Sequence, residues 1–173
     1  MRRFFMLVLA ASTAALSSVG CASDSDSGSE NSGGSGGSPL SQCVGNNADF
    51  TPAEFYAQTE EGYACSSQSD MSTVCATNMP LVGGTCGKAC LNMGTDAEQA
   101  DCVAECIQDA LHDANSAALS DDCMACYTAD IECARKNCLT TCGLGPTSEE
   151  CATCRSEKGC AAAFYECSGL PEP

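Results

Sequence analysis

Seventeen cysteines in a chain of 173 residues supply most of the chemistry this sequence could perform. A thiolate can attack a disulfide, ligate a soft metal, or be consumed in a cystine. Cys123-x-x-Cys126 and Cys151-x-x-Cys154 have the spacing of a redox dithiol. That chemistry calls for the pair at a helix start beside a thioredoxin-like sheet. No segment here shows the strand-like alternation of β-branched residues such a sheet needs. His112 is the only histidine, and its polar setting, Leu111-His112-Asp113, reads as solvent-facing. Neither a Ser/His/Asp nor a Cys/His arrangement can be built around it, so no catalytic residue is assigned and the chain reads as a non-enzyme. Asp24-Ser-Asp26-Ser-Gly28 lies in a Ser/Gly stretch and is no Ca²⁺ loop. Structural cystines are left as the favoured use of the thiols, with no cofactor and no bound metal.

The spacings say how cystines would be arranged. Cys86 and Cys90 are four apart, as are Cys102 and Cys106. Residues at i and i+4 share a helix face, so two such helices joined by a tight loop can lie antiparallel with two bridges between them. Four cysteines allow three connectivities, of which the antiparallel geometry favours Cys86 with Cys106 and Cys90 with Cys102. The arrangement resembles the disulfide-stapled helical hairpins of the α-hairpinin kind. A second pattern repeats: Asp121-Asp122-Cys123-Met-Ala-Cys126 is matched 28 residues later by Glu149-Glu150-Cys151-Ala-Thr-Cys154, with Cys133 and Cys160 following at nearly the same distance. This suggests a duplicated helical element, although two copies do not make a solenoid. Parity adds a constraint. Cys43, Cys65 and Cys75 number three, and the nine from Cys123 onward (which include Cys138, Cys142 and Cys167) are also odd. If every cysteine after Cys21 is paired, at least one bridge joins different segments.

The elements that must position these cysteines are helices with clear punctuation. Thr51-Pro52-Ala53-Glu54 is a capping box with Pro at the first helical position, and its helix is expected to stop near Gly62. A second short helix is predicted from Asp70 to Asn78, ahead of Pro80. Gly83-Gly84 reads as a turn, after which Thr85 would cap a short helix carrying Cys86 and Cys90 and ending at Gly94. Thr95-Asp96-Ala97-Glu98 is another capping box, opening a helix to about Asn115. Val103, Ile107, Ala110 and Leu111 share one face of it, and Glu98, Asp101, Glu105 and Asp109 the opposite one. Ser120-Asp121-Asp122 opens the longest helix, with no Gly or Pro before Gly143. Thr147-Ser148-Glu149-Glu150 reads as a third capping box, with a helix to Gly159 and a last one over Cys160–Cys167. The predicted fold class is all-α, a small disulfide-rich bundle of short helices and helical hairpins.

Composition agrees that cross-links must hold it. From Cys43 to the end there are only sixteen Val, Ile, Leu and Phe and no Trp, in a chain of formal charge −16. Such a chain would ordinarily be disordered. Sixteen cysteines after Cys21 permit eight bridges, and a bridge closing about 15 residues stabilises by roughly 3 kcal/mol. Cystines persist in oxidising compartments outside the cytoplasm. Only Lys88, Arg135, Lys136, Arg155 and Lys158 are basic beyond the N-terminus, which excludes a nucleic-acid partner. The acid excess reads as solubility at a crowded surface.

The N-terminus gives the address. Met1-Arg2-Arg3, an apolar run from Phe4 to about Val19, and Gly20 are the parts of a secretory signal, too short to span a membrane. Leu16-Ser17-Ser18-Val19-Gly20-Cys21 resembles a bacterial lipobox, with Ser18 where that family usually has Leu. The resemblance implies lipidation of Cys21. Residues 22–39 are nearly all Ser, Gly and acidic, with nothing to bury. The expected organisation is a signal peptide over 1–20, the lipidated cysteine and a disordered tether over 21–42, and a cysteine-rich domain over 43–173. By resemblance to other lipoproteins, Ala22 after the lipidated cysteine implies outer-membrane sorting. The lipobox, the tether, the repeated Cys-x-x-Cys units and the closing Gly159-Cys160…Phe164…Cys167-Ser168-Gly169-Leu170 together resemble the cysteine-rich lipoproteins of myxobacteria, which implies architecture rather than an activity. The expected partners are the membrane, through the anchor, and a protein or envelope surface. A second class stands beside this binding or structural module: exported helical bundles that store Cu(I) on inward-facing thiolates, where Met71, Met79, Met93 and Met124 could add thioethers. Arg2-Arg3-Phe4-Phe5-Met6 resembles a twin-arginine signal, which would suit export of a folded, metal-loaded protein.

Overall fold

The computed structural model describes residues 40–173. The expected signal peptide, Cys21 and most of the expected tether lie outside these residues. Among the described residues there are seven α-helices, one short 3₁₀ turn at Gly45–Asn47 and no strand. The helices are α1 (Pro52–Gln58), α2 (Gln68–Ala76), α3 (Met79–Ala89), α4 (Asp96–Asp113), α5 (Asp121–Cys142), α6 (Glu149–Glu157) and α7 (Cys160–Ser168). The domain is all-α. No helix among them is long and apolar enough to cross a membrane.

Side-chain caps start most of these helices. Thr51 Oγ1 accepts from Glu54 N at 3.3 Å while Glu54 Oε2 accepts from Thr51 N at 2.9 Å. Thr95 and Glu98 repeat the exchange at 3.2 and 2.7 Å. Each box satisfies two backbone donors that the first turn leaves without partners. α4 then buries Val103, Ile107 and Leu111 and turns Asp101, Glu105 and Asp109 to solvent.

Four expectations need correction. α1 ends at Gln58 rather than near Gly62, because the Glu60 N–H donates to Gly169 O (2.8 Å) and leaves the helical pattern. α2 starts at Gln68, capped by Ser67, whose Oγ accepts from Asp70 N at 3.0 Å; it ends at Ala76, and Asn78 instead caps α3. Gly83-Gly84 is no turn: both lie inside α3, which starts at Met79 rather than at Thr85. A Cβ on Gly84 would overlap Pro146, one on Gly83 would come within 3.0 Å of Ile131, and one on Gly87 within 2.9 Å of the same side chain. These helical glycines let neighbouring segments close on α3. Finally, α6 has no capping box: its cap is Ser148, whose Oγ accepts from Cys151 N at 3.2 Å. Ser120 does the same for Cys123 N at 3.3 Å, so both halves of the repeated motif share a Ser-acid-acid-Cys helix start.

α5 is the central column, packed against α3, α4, α6 and α7. It bends at Cys138, where φ −129° and ψ 18° leave the helical region. α3 and α4 form an antiparallel hairpin, and α1 pairs with α2. The core holds Phe55, Val74, Ile107, Leu111, Leu119, Met124, Tyr127 and Phe164 among eighteen buried residues, seven of which are half-cystines. Sulfur thus fills volume that aliphatic side chains would fill in an ordinary domain.

Candidate functional site

Every cysteine after Cys21 is in a bridge. The hairpin carries two rungs, Cys86–Cys106 and Cys90–Cys102, with Cα atoms 5.6 and 5.9 Å apart. Cys43–Cys75 (4.5 Å) ties the N-terminal segment to α2. Cys65–Cys123 (4.6 Å) joins that segment to the start of α5. It is the bridge between the two odd groups of cysteines. The C-terminal half holds four more: Cys126–Cys167, Cys133–Cys160, Cys138–Cys154 and Cys142–Cys151. The third cysteines of the two repeated units are therefore bonded to each other.

This connectivity separates the members of each Cys-x-x-Cys. Cys123 and Cys126 go to Cys65 and Cys167, while Cys151 and Cys154 go to Cys142 and Cys138. A redox dithiol needs its two sulfurs to bond each other, and these do not. A sulfur in a cystine offers no thiolate to a metal. The methionines are scattered: Met79 and Met124 are buried in the core, Met71 packs against it, and Met93 is exposed. His112 is exposed, with an Asp113 carboxylate oxygen 3.9 Å away.

Two features were not legible in the sequence. The first is Asp70, which is buried, with 1% of its surface exposed. Its Oδ1 accepts from Ser120 N at 2.7 Å, and its Oδ2 accepts from Ser120 Oγ at 2.8 Å and Ser67 Oγ at 2.6 Å. One carboxylate thus joins Ser67 and Ser120, the capping residues of α2 and α5, the second fifty residues beyond Asp70. No local pattern signals this, because Asp70 looks like an ordinary acidic residue in a first turn.

The second is a groove of about 90 Å³ between α3, α5 and the turn before α6. Its walls are largely apolar: the glycine face of α3, Leu91, Ile131, Ala134, Leu139 and Pro146. Lys88, Arg135 and Arg155 border it, with Asp130 as the one carboxylate. Arg155 Nη2 and Nε both donate to Asp130, at 2.7 and 3.2 Å, and both side chains are mostly buried. Burial raises the Asp130 carboxyl above its ordinary range, and the Arg155 charge opposes that rise. Arg135 Nη2 donates to Asp96 at 2.7 Å, and Lys136 pairs with Asp96 and Glu132. These two cations hold the Asp96 carboxyl below its ordinary range, with the Lys136 hydrogen bond the larger influence. Lys88, exposed in the last turn of α3, makes no ion pair among the described residues. Five scattered basic residues in the sequence gave no sign that three would meet at one groove.

Eight cystines mark a protein of an oxidising compartment, at the cell envelope or outside the cell. Comparison with protein-family models, with curated proteins and with solved structures finds no match to this chain.

Proposed function

We propose that this chain is an exported lipoprotein whose Cys21 carries the lipid, and whose helical domain is a cystine-held binding or structural module on the outer membrane. The observation that carries the reading is the pairing of all sixteen cysteines after Cys21. Sixteen thiols have a structural use, and the seventeenth stands after Gly20 in a lipobox-like segment. A tether of Ser, Gly and acidic residues then separates anchor from domain, long enough to let the domain meet a partner away from the lipid surface. The module is not an enzyme in this reading, because the cysteines after Cys21 are consumed in bridges and the one histidine, His112, is exposed. The paired sulfurs also favour it over Cu(I) storage, which needs free thiolates.

The anchor is tested by Cys21→Ala in cells. The variant is expected to leave the membrane fraction and to lose labelling by a fatty-acid probe. Unchanged membrane partitioning with unchanged labelling would overturn the anchor.

A further inference from the structure

The described domain is acidic almost everywhere, with twenty Asp and Glu against five Lys and Arg from residue 40 onward. At the groove between α3 and α5 three of the five cations meet: Arg135 is paired with Asp96, which lies outside the lining, and the lining itself holds one carboxylate, Asp130. That carboxylate is already engaged by Arg155 through two hydrogen bonds. Lys88 at the rim has no carboxylate partner among the described residues, and Arg135 has guanidinium donors left after its bond from Nη2 to Asp96. Between these cations the surface is apolar, floored by Ile131 and Ala134 and extended by the exposed Leu139. A neutral apolar ligand would leave the cations unused, and a polar anion would leave the trough uncovered. An occupant with an apolar body and one anionic end matches both parts.

We propose that this groove binds a monoanionic amphiphile, an alkyl carboxylate. Its chain lies along Ile131, Ala134 and Leu139, and its carboxylate is paired with Lys88 and the free donors of Arg135. The proposal deepens the reading of the domain as a binding module and rests on it. Lys88 lies on the exposed side of α3 and takes no part in the core, so its charge can be changed without removing packing. Asp130 and Arg155 both line the groove, and their two hydrogen bonds engage Arg155 with a carboxylate of the protein's own.

The test uses the full chain with Cys21→Ala and its other sixteen cysteines oxidised, titrated with decanoate below its micelle concentration. Binding is read by calorimetry and by methyl NMR signals of Ile131 and Leu139. Decanoate is expected to bind and to shift those methyl signals. Lys88→Glu is expected to weaken binding about tenfold, as loss of a charged hydrogen bond would. Ala134→Leu, which narrows the trough without touching a charge, is expected to weaken it as well, and decanol is expected to bind less tightly than decanoate. Decanol binding as tightly as decanoate, or Lys88→Glu leaving affinity unchanged, would overturn the assignment of an anionic occupant. Binding only to phosphatidylglycerol vesicles, with none to decanoate, would show a lipid-facing surface instead and overturn it too. Absence of both, with all sixteen cysteines still oxidised, would remove the ligand while leaving the cystine-held module intact.

Discussion

Asp70 shows how much one residue can carry. A buried carboxylate is tolerated only when its oxygens are satisfied, and here three donors from two helix starts converge on it. Asp70→Ala leaves the Ser120 N–H and two hydroxyls without their acceptor, and is expected to cost about 3 kcal/mol. Chemical denaturation of the oxidised protein measures this, and a loss no larger than for an exposed acidic residue would argue against the role. The capping glutamates act at the surface. Glu98 is held below its ordinary value of 4.5, first by the Thr95 backbone N–H and then by its hydroxyl, and Glu54 by the same groups of Thr51. A depressed carboxyl contributes stability that is present above its unfolded pKa and lost as pH falls through the folded one. Parent and Glu98→Gln are therefore expected to differ in denaturation midpoint at pH 6 and to converge as pH falls below about 4. A difference independent of pH would contradict this. Both capping boxes could be read from sequence because they are local, four-residue patterns. Asp70 could not, because its partners include Ser120, fifty residues on.

The helices were mostly legible, and the exceptions share a cause. α1 stops early because Glu60 bonds to the carbonyl of Gly169. Gly83-Gly84 lies inside α3, where Pro146 and Ile131 pack too close to leave room for a Cβ. In each case a long-range contact overrides a local signal. The same distinction separates the cystines. The hairpin rungs follow from i, i+4 spacing, whereas the bonds of the C-terminal half depend on how α6 and α7 fold back onto α5. Cys65–Cys123 is the one bridge linking the α1–α2 lobe to the helices that follow. Replacing both cysteines with Ser is expected to cost about 4 kcal/mol at most, the value for a bridge closing a loop of that length, and less where other bridges already restrict the chain. Hydrogen exchange is expected to rise in α1 and α2 while the α3–α4 hairpin keeps its protection. Equal loss of protection throughout the molecule would show that the lobe is not a separable unit.

For the whole molecule, sixteen aliphatic and Phe residues in 131 are too few to hold a helical domain in which acids outnumber bases four to one. The structure answers this deficit with sulfur, both as covalent constraint and as core volume. Composition carried that conclusion, since an even count of sixteen cysteines after Cys21 allows full pairing. The groove was beyond composition, because it depends on which of five cations the packing of α3, α5 and α6 brings together. The claim on which everything rests is that the cysteines are cystines and that these hold the fold. A thiol count under denaturing, metal-chelating conditions, beside circular dichroism with and without reductant, tests it most directly. No titratable thiol among the sixteen and loss of helix on reduction are expected; about sixteen free thiols on a protein that stays helical in reductant would contradict cystine stabilisation and turn the cysteines toward metal storage.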